Sequence, residues 1–243
     1  MTSSVRIGTS GWHYRHWLGT FYDKGTRPAE LLKAYAERFD TVEVNATFYR
    51  LIETRTLAGW REQTPEGFLF ACKGSRYLTH MKRLKDPETG VGRYFDRVQA
   101  LEAKLGPIVF QLPGRFKPDR ERLARFIDAL PKGQRYAFEF RDPAWFTDDV
   151  LALLRERQAA LCLYEIDGKE APLEVTADFV YIRLHGPGRA YQGSYDDQAL
   201  ALWAERVAGW AGHGLDVFCY FDNDEKGFAP KYALRLKELL HPD

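Results

Sequence analysis

The 243-residue sequence contains only three cysteines, Cys72, Cys162 and Cys219, and no two of them form a C-x-x-C pair. Each cysteine lies in an apolar run typical of a β-strand, where cysteine serves as a small core residue. This spacing argues against a disulfide framework, a redox motif and a cysteine-based metal site. We therefore expect all three thiols to be buried, reduced and remote from any functional site.

Long hydrophobic runs are also missing. No stretch of the sequence approaches the roughly 18 apolar residues that a membrane-spanning helix needs. The N-terminal residues pass directly into a strand-like segment, without the apolar core of a signal peptide. We therefore expect a soluble, cytoplasmic protein that has no membrane partner.

Charge of one sign is not in excess, because 35 Lys and Arg residues face 34 Asp and Glu residues, which gives a formal net charge of +1. This balance provides no overall attraction for nucleic acid, so binding of a polyanion would depend on a local basic patch. Fingerprints of phosphate-binding loops and dinucleotide folds are missing, as is the elbow motif of serine hydrolases. The sequence therefore predicts no cofactor.

Short apolar runs rich in β-branched and aromatic residues alternate with amphipathic stretches along the chain, a pattern typical of a parallel sheet. Strands are predicted at 5–9, 41–44, 68–72, 108–112, 136–140, 160–163, 180–184 and 217–221. Helices are predicted at 28–38, 56–63, 92–105, 119–130, 147–157, 196–211 and 229–240. Eight strands with seven helices favour one domain, residues 1–243, folded as a (β/α)8 TIM barrel. The sixth helix should be short or irregular, because 165–178 contains Gly168 and Pro172 and lacks a helical period.

Side chains alternate along a strand, so each barrel strand directs one set inward and the other toward the helices. The apolar set, such as Val42 and Val44, belongs against the helices, which turns the polar set inward. At the C-terminal strand ends this inward set is Glu43, Lys73, Gln111, Glu139, Arg141, Arg183, His185 and Asp222. Barrel enzymes carry their active sites at that end, and burial of unpaired charges is unfavourable, so the pattern indicates function. An ion-pair network that only stabilises the barrel is the alternative interpretation.

Seven segments spread along the chain resemble a known family. They are 7–14 (IGTSGWHY), 41–50 (TVEVNATFYR), 68–73 (FLFACK) with 78–80 (LTH), 111–113 (QLP), 138–141 (FEFR) with Trp145, 181–186 (YIRLHG) and 220–224 (YFDND). Together, and in this order, they resemble the YecE-like family, also called domain of unknown function 72. The resemblance implies a TIM barrel without an established activity, for which fold-level analogy has suggested nucleic-acid or sugar binding. Asp142 and Asp222 depart from the family pattern, which has His and Asn there and so weakens Asp222 as a catalytic carboxylate.

The sequence predicts an enzyme that performs acid/base chemistry on a small polar or anionic ligand, such as a sugar, a nucleotide or a phosphate compound. Two carboxylates in different environments can be driven to different pKa values, which suits a general acid and a general base. The predicted catalytic residues are Glu43, Glu139 and His185. The predicted ligand-binding residues are Trp12, Tyr14, Asn45, Lys73, Gln111, Arg141, Arg183, Tyr220, Asp222 and Asn223.

Two alternatives concern the ligand. A metal could be held by carboxylates and His185, but Lys73 and Arg183 would repel it, so no metal site is expected. A non-catalytic protein that binds single-stranded nucleic acid or a nucleotide is the second functional hypothesis. Loop aromatics could stack on bases, and Lys73, Arg76, Lys82, Arg83 and Lys85 could contact phosphates, although the net charge does not favour this partner. A monomer is expected.

Overall fold

Eight parallel strands form the centre of the computed structural model, which describes residues 3–188 and 190–240. They are β1 (Val5–Thr9), β2 (Thr41–Val44), β3 (Leu69–Lys73), β4 (Leu105–Leu112), β5 (Tyr136–Phe140), β6 (Ala160–Ile166), β7 (Phe179–Leu184) and β8 (Asp216–Phe221). The hydrogen-bonded order is β1, β8, β7, β6, β5, β4, β3, β2, with every neighbouring pair parallel. A bridge between Ser10 and Glu43 brings the two ends of this path together, which nearly closes the barrel. The predicted fold class is confirmed.

Helices occupy the outside of the barrel between successive strands. They are α1 (Leu31–Ala36), α2 (Ala46–Tyr49), α3 (Thr54–Gln63), α4 (Pro87–Val98), α5 (Arg120–Asp128), α6 (Asp148–Glu156), α7 (Asp197–Gly212) and α8 (Phe228–Leu240). Local signals start several of them: the Asp119 and Asp196 carboxylates accept backbone N–H bonds from Arg122 and Ala199 at the first turns of α5 and α7. Helix α4 begins at Pro87 rather than at the predicted residue 92, because proline fits a first turn.

The sixth crossover contains no helix, as predicted. Residues 167–178 instead carry the two-residue strand Lys169–Glu170, which pairs antiparallel with β6. Asp167 and Gly168 both have positive φ angles and form the tight turn between the two strands. The chain then reaches β7 directly, so this side of the barrel is covered by a hairpin.

The side chains that fill the barrel interior are small on one side of the barrel and bulky on the other. Strands β3, β5 and β6 contribute small side chains, whereas β7 and β8 contribute aromatic ones. The inner set comprises Ala71, Val109, Ala137, Ala160, Cys162, Phe179, Tyr181, Phe218 and Tyr220. The alternate residues of the same strands, including Val42, Phe110 and Phe138, pack toward the helices in a separate cluster. The predicted alternation is therefore confirmed, and this apolar filling separates the charged cluster at the C-terminal end from Arg6, which contacts Asp40 at the opposite end.

The three cysteines are buried and free, but they do not share one location. Cys72 and Cys219 face the helices. Cys162 faces the barrel interior, where its Sγ atom lies 4.0 Å from Glu139 Oε2. The expectation that all three lie far from the mouth is wrong for Cys162, because Leu161 and Leu163 take the helix-facing positions of β6.

In the described part of the chain, no helix combines the length and the apolar character required to cross a membrane.

Gly8 stands where β1 meets β2, and we predict that Gly8→Ala is strongly destabilising. A Cβ atom there would lie 2.4 Å from the Thr41 carbonyl oxygen and 2.9 Å from the Tyr35 hydroxyl. Overpacking of this kind lowers the free energy of unfolding by about 1–3 kcal/mol. Gly209→Ala on α7 is the matched control, because a Cβ there meets nothing within 4 Å and should stabilise the helix by about 1 kcal/mol. Urea unfolding of both variants tests the prediction, and a Gly8→Ala protein as stable as Gly209→Ala would contradict it.

Candidate functional site

Arg183 is the centre of the charged cluster at the C-terminal end of the barrel. Its Nε donates to Glu43 Oε2 at 2.9 Å and its Nη2 to Glu43 Oε1 at 2.8 Å, a bidentate pairing. Its Nη1 donates to Glu139 Oε2 at 2.6 Å, and its Nη2 also reaches Asp222 Oδ2 at 3.2 Å. Arg183, Glu43 and Glu139 have no exposed surface. Every nitrogen of the guanidinium is therefore engaged with a carboxylate.

Glu43 accepts further hydrogen bonds from side chains without charge. The Tyr181 hydroxyl donates to Glu43 Oε2 at 2.7 Å, and the Ser10 hydroxyl donates to Glu43 Oε1. Neither residue was assigned to the site from the sequence. Alternation along β7 already turned Tyr181 inward, and the inward series of β1 extends from Gly8 to Ser10, one residue beyond the predicted strand end. Both signals were present in the sequence, although nothing in it indicated their shared partner.

Glu139 lies between two guanidinium groups. Arg141 Nε donates to its Oε1, and Arg183 donates to its Oε2. Burial alone would raise the pKa of Glu139, but the charges of Arg141 and Arg183 outweigh burial and hold this pKa well below the ordinary value. Glu139 is consequently an ionised acceptor across the physiological pH range.

His185 contacts donors on one ring nitrogen and a carboxylate on the other. Its Nε2 lies 3.0 Å from Arg141 Nη2 and 3.3 Å from Arg183 Nη1. A guanidinium can only donate, so Nε2 must be the acceptor and the ring proton belongs on Nδ1. Nδ1 lies 3.0 Å from Asp222 Oδ2, so its proton faces this carboxylate. Burial raises the pKa of Asp222, but contacts with His185 and Arg183 lower this pKa by more than burial raises it, so the carboxyl is ionised.

Lys73, at the end of β3, differs from the other cations of the mouth. Within the described residues no carboxylate lies within 4.0 Å of its ammonium, which sits 4.4 Å from the centre of the Phe48 ring. Only 8% of the residue is exposed. Burial, followed by the positive charge of Arg183, lowers the pKa of Lys73. It is therefore a nearly buried lysine without an ion pair.

The remaining predicted site residues are spread around the mouth. Tyr14 donates from its hydroxyl to the Ser10 carbonyl at 2.7 Å, and Gln111 Nε2 donates to the Leu112 carbonyl at 3.0 Å. Asn223 Nδ2 donates to the Gly193 carbonyl at 3.1 Å and so connects two loops. Tyr220 lies deeper, where its hydroxyl is 2.8 Å from Thr41 Oγ1.

Trp12 lies away from the cluster. It packs edge-on against Trp60 of α3, with ring centres 4.9 Å apart, and contacts the helix-facing Phe70. The structure thus brings six predicted residues into one contact network: Glu43, Glu139, Arg141, Arg183, His185 and Asp222. Within the described residues no three His, Cys, Asp or Glu side chains are grouped as metal ligands, and Arg183 lies between the carboxylates instead.

Buried polar atoms without a hydrogen-bond partner share one location in the described part of the molecule. They are Asn45 Oδ1, His185 Nδ1, Asn223 Oδ1 and Asp224 Oδ2, and all four follow the C-terminal ends of β2, β7 and β8. His185 Nδ1 lies 3.0 Å from Asp222 Oδ2, and Asp224 Oδ2 lies 2.9 Å from His16 Nε2, so the two asparagine oxygens are the atoms left without any such contact. Asp224 was not predicted. Its burial raises its pKa to about 6, although Trp17 Nε1 donates to its other oxygen at 2.6 Å. No sequence pattern distinguishes this aspartate from the acidic residues beside it.

Known proteins show where this chain has relatives. A family model described as "Protein of unknown function DUF72" matches residues 6–243. UPF0759 protein YecE of Escherichia coli K12 is 30% identical over 143 residues, which cover 58% of this chain and only half of that protein. UPF0759 protein YunF of Bacillus subtilis 168 is 24% identical, with 97% of this chain and 94% of that protein covered.

Crystal structures of two bacterial proteins are similar to this one. A DUF72 family protein from Thermotoga maritima MSB8 superposes with a TM-score of 0.88 at 27% identity, covering 98% of this chain and 99% of that one. A DUF72 family protein from Enterococcus faecalis V583 superposes with a TM-score of 0.80 at 21% identity, covering 99% of both chains. The second likeness concerns the fold alone.

Neutralising Arg183 and neutralising Lys73 should have different effects on the free energy of unfolding. We predict that Arg183→Met lowers the free energy of unfolding by about 3–5 kcal/mol, because three carboxylates lose their counter-charge. Lys73→Met should leave stability unchanged or raise it, because it removes a buried charge and breaks no ion pair. Urea unfolding at neutral pH compares the variants. Equal losses in both would identify Lys73 as a structural cation.

The stabilisation by Lys73→Met should also depend on pH. The pKa of Lys73 is lower in the folded protein than in the unfolded chain, where it is about 10.4. Between those two pKa values the unfolded chain binds the additional proton, so wild-type stability rises with pH in that window. The advantage of Lys73→Met should accordingly be largest below the folded-state pKa and should vanish above about pH 10.4. An advantage that persists at high pH would be due to side-chain packing.

Proposed function

The chain belongs to the DUF72 family of proteins of unknown function, and on that premise we propose that its barrel mouth binds a small anionic or polar molecule and performs acid/base chemistry on it. The observation that carries this proposal is the position of the unpartnered buried atoms. Asn45 Oδ1 and Asn223 Oδ1 are unfavourable by about 1–3 kcal/mol each, yet both lie at the end where barrels place their chemistry. A network that served stability alone would satisfy these groups.

Arg141, Lys73 and Gln111 are the groups best placed to hold an anion. Lys73 and Gln111 belong to the neighbouring strands β3 and β4, Arg141 directly follows β5, and each keeps a small exposed fraction at the mouth, 15% for the Arg141 side chain. Arg141 uses its Nε on Glu139, and Lys73 has no acidic partner in the part of the chain that the structure describes. Donors at a nearly dry site bind a carboxylate or phosphate oxygen strongly. This part of the mouth supports an anionic ligand.

Proton transfer is better supported for Asp222 than for the buried glutamates. Glu43 and Glu139 have no exposed surface, and each accepts hydrogen bonds on both carboxylate oxygens. This saturation favours an electrostatic role for them, while their assignment as catalytic groups stays a prediction. The Asp222 side chain is 13% exposed and lies beside His185, so it can exchange a proton with a bound molecule.

A second function is favoured by the rim of the mouth. Tyr49, the last residue of α2, and Tyr77, in the segment after β3, are 68% and 43% exposed. The segments that follow β2 and β3 also carry four cations that have no carboxylate within 4.0 Å among the described residues: Arg50, Arg76, Arg83 and Lys85. Exposed rings between unpaired cations are suited to stack on bases and contact phosphates, so single-stranded nucleic acid is the alternative ligand.

The first test is a thermal-shift screen of small carboxylates and phosphate esters against the wild-type protein. We predict that a compound which raises the melting temperature binds about 10-fold or more weakly to Arg141→Met, because one charged hydrogen-bond donor is lost. Lys132→Met, which neutralises an exposed cation after α5, is the matched control and should bind normally. Equal weakening in both variants would indicate unspecific attraction and contradict the proposed site.

Acid/base chemistry is tested on the compound that the screen identifies. Exchange of its carbon-bound hydrogens with deuterated solvent, followed by NMR, should be catalysed by the wild-type protein. We expect Asp222→Asn to slow this exchange about 100-fold or more while the compound still binds. Bound ligand whose hydrogens exchange no faster than in free solution would contradict the catalytic part of the proposal.

Salt separates the two candidate functions. The affinity of an enclosed small-ligand site should change little between 50 and 200 mM salt. An oligonucleotide that is held through several of its phosphates should bind about 100-fold or more weakly at the higher salt concentration. Tyr49→Ala and Tyr77→Ala should weaken only the binding of the oligonucleotide, because both rings lie on the rim of the mouth. A steep salt dependence together with sensitivity to these two substitutions would favour the nucleic-acid alternative.

A further inference from the structure

Two hydrogen bonds hold the backbone carbonyl of Lys73 in place. Its carbonyl oxygen accepts a hydrogen bond from Thr47 Oγ1 at 2.8 Å and another from the Tyr94 hydroxyl at 3.2 Å. Both donors belong to helices, α2 and α4, so the end of β3 is fixed to the outer layer. The backbone that carries the Lys73 amine to the mouth is thus held by the scaffold and does not depend on an ion pair.

The surroundings of the Lys73 amine favour its neutral form. Three carboxylates lie at the same mouth, but each one contacts another cation or His185: Glu43 pairs with Arg183, Glu139 with Arg141 and Arg183, and Asp222 with Arg183 and His185. The Phe48 ring lies against the amine and attracts its charged form, so the preference for the neutral form comes from burial and from Arg183. Burial and the Arg183 charge lower the pKa of Lys73, which increases the fraction of nucleophilic amine at neutral pH.

We propose that Lys73 is a catalytic nucleophile that forms an imine with an aldehyde or ketone carrying an anionic group. This inference rests on the proposed function, because the anionic group would be held by the donors beside Lys73, chiefly Arg141 on β5. It names the substrate class of that site. A lysine kept as a plain cation for stability would instead be paired with one of the three carboxylates.

The step is balanced without an oxidant or a reductant. The Nζ lone pair attacks the carbonyl carbon, and the C=O π electrons move to oxygen, which receives one of the amine protons by way of solvent. A second proton from solvent then converts the hydroxyl of this carbinolamine to water. The nitrogen lone pair forms the C=N bond as water leaves, and the iminium nitrogen keeps its remaining proton. A positive nitrogen next to the substrate carbon then acts as an electron sink for acid/base chemistry.

Reductive trapping tests this proposal directly. Wild-type protein is incubated at neutral pH with glyoxylate, which combines an aldehyde with a carboxylate, and with cyanoborohydride, which reduces an imine to a stable amine. Peptide mass spectrometry then measures carboxymethylation at each lysine. We expect Lys73 to react about 10-fold or more faster than Lys132, an exposed lysine with no carboxylate within 4.0 Å among the described residues, because exposed lysines are almost fully protonated at this pH. Labelling that follows exposure, with Lys132 ahead of Lys73, would overturn the proposal.

The pH profile of trapping provides a second readout in the same digests. Charged or titratable groups that act on Lys73 come from five strands or their following loops: Glu43, His80, Glu139, Arg183 and Asp222. Burial and Arg183 outweigh the carboxylates, so the trapping rate at Lys73 should reach half its maximum at a pH below the ordinary lysine pKa of about 10.4. A midpoint at that ordinary value would contradict an activated amine.

Two variants distinguish this inference from the proposed function. Lys73→Arg keeps a positive charge but forms no imine, so it should lose trapping at this position and still bind acetate or phosphate. Arg141→Met should lower trapping of glyoxylate about 10-fold while trapping of acetaldehyde, which has no anionic group, is unchanged. Arg141-dependent binding of anions without an adduct at Lys73 would overturn the imine and leave the proposed function standing. An adduct whose formation does not depend on Arg141 would contradict the anionic part of the substrate class.

Discussion

Neutralisation of a fully buried arginine is the constraint on which the mouth of this barrel depends. Arg183 has no access to water, so its charge must be balanced by carboxylates brought from other strands, and Glu43, Glu139 and Asp222 supply that balance. The same carboxylates then orient their remaining neighbours. Glu139 also holds Arg141, and Glu43 accepts the hydroxyls of Ser10 and Tyr181 where β1 and β2 meet. The ion-pair network and the closure of the barrel are therefore one structure.

This network explains how the charges around Arg183 are stabilised. Other groups at the mouth do not contribute to stability and need a different explanation. Lys73 has no acidic partner within the described residues, and two buried amide oxygens there, Asn45 Oδ1 and Asn223 Oδ1, lack a hydrogen-bond donor. Both features are unfavourable in the free protein, and both lie at the carboxyl ends of the strands, where a ligand would contact them. The interpretation of the charged mouth as a purely structural network thus accounts for Arg183 and its partners but not for Lys73.

Alternation of side chains was sufficient to predict most of the site, because a barrel strand has only two faces and the helix side must be apolar. It placed Glu43, Glu139 and Arg183 inside the barrel, and the clusters on the two faces of the strands confirm this. It failed for residues beyond the strands. Trp12 packs against α3, and Asp224 is buried beside Trp17, because loop conformations follow from packing and have no two-residue period. Cys162 was misplaced since the expectation rested on residue type and did not use the position within β6.

The sequence by itself determined the barrel, the missing sixth helix and the end at which charged side chains collect, because these depend on local periodicity and on glycine and proline. Only the tertiary structure decided which charges pair with one another. Glu43 and Arg183 are 140 positions apart in the chain, and their bidentate contact depends on the stagger of strands across the barrel. The same geometry assigns Glu43, Glu139 and Asp222 to Arg183, Arg141 or His185 and leaves Lys73 without a carboxylate among the described residues. Pairing requires approach within a few ångströms, which composition and spacing along a chain do not specify.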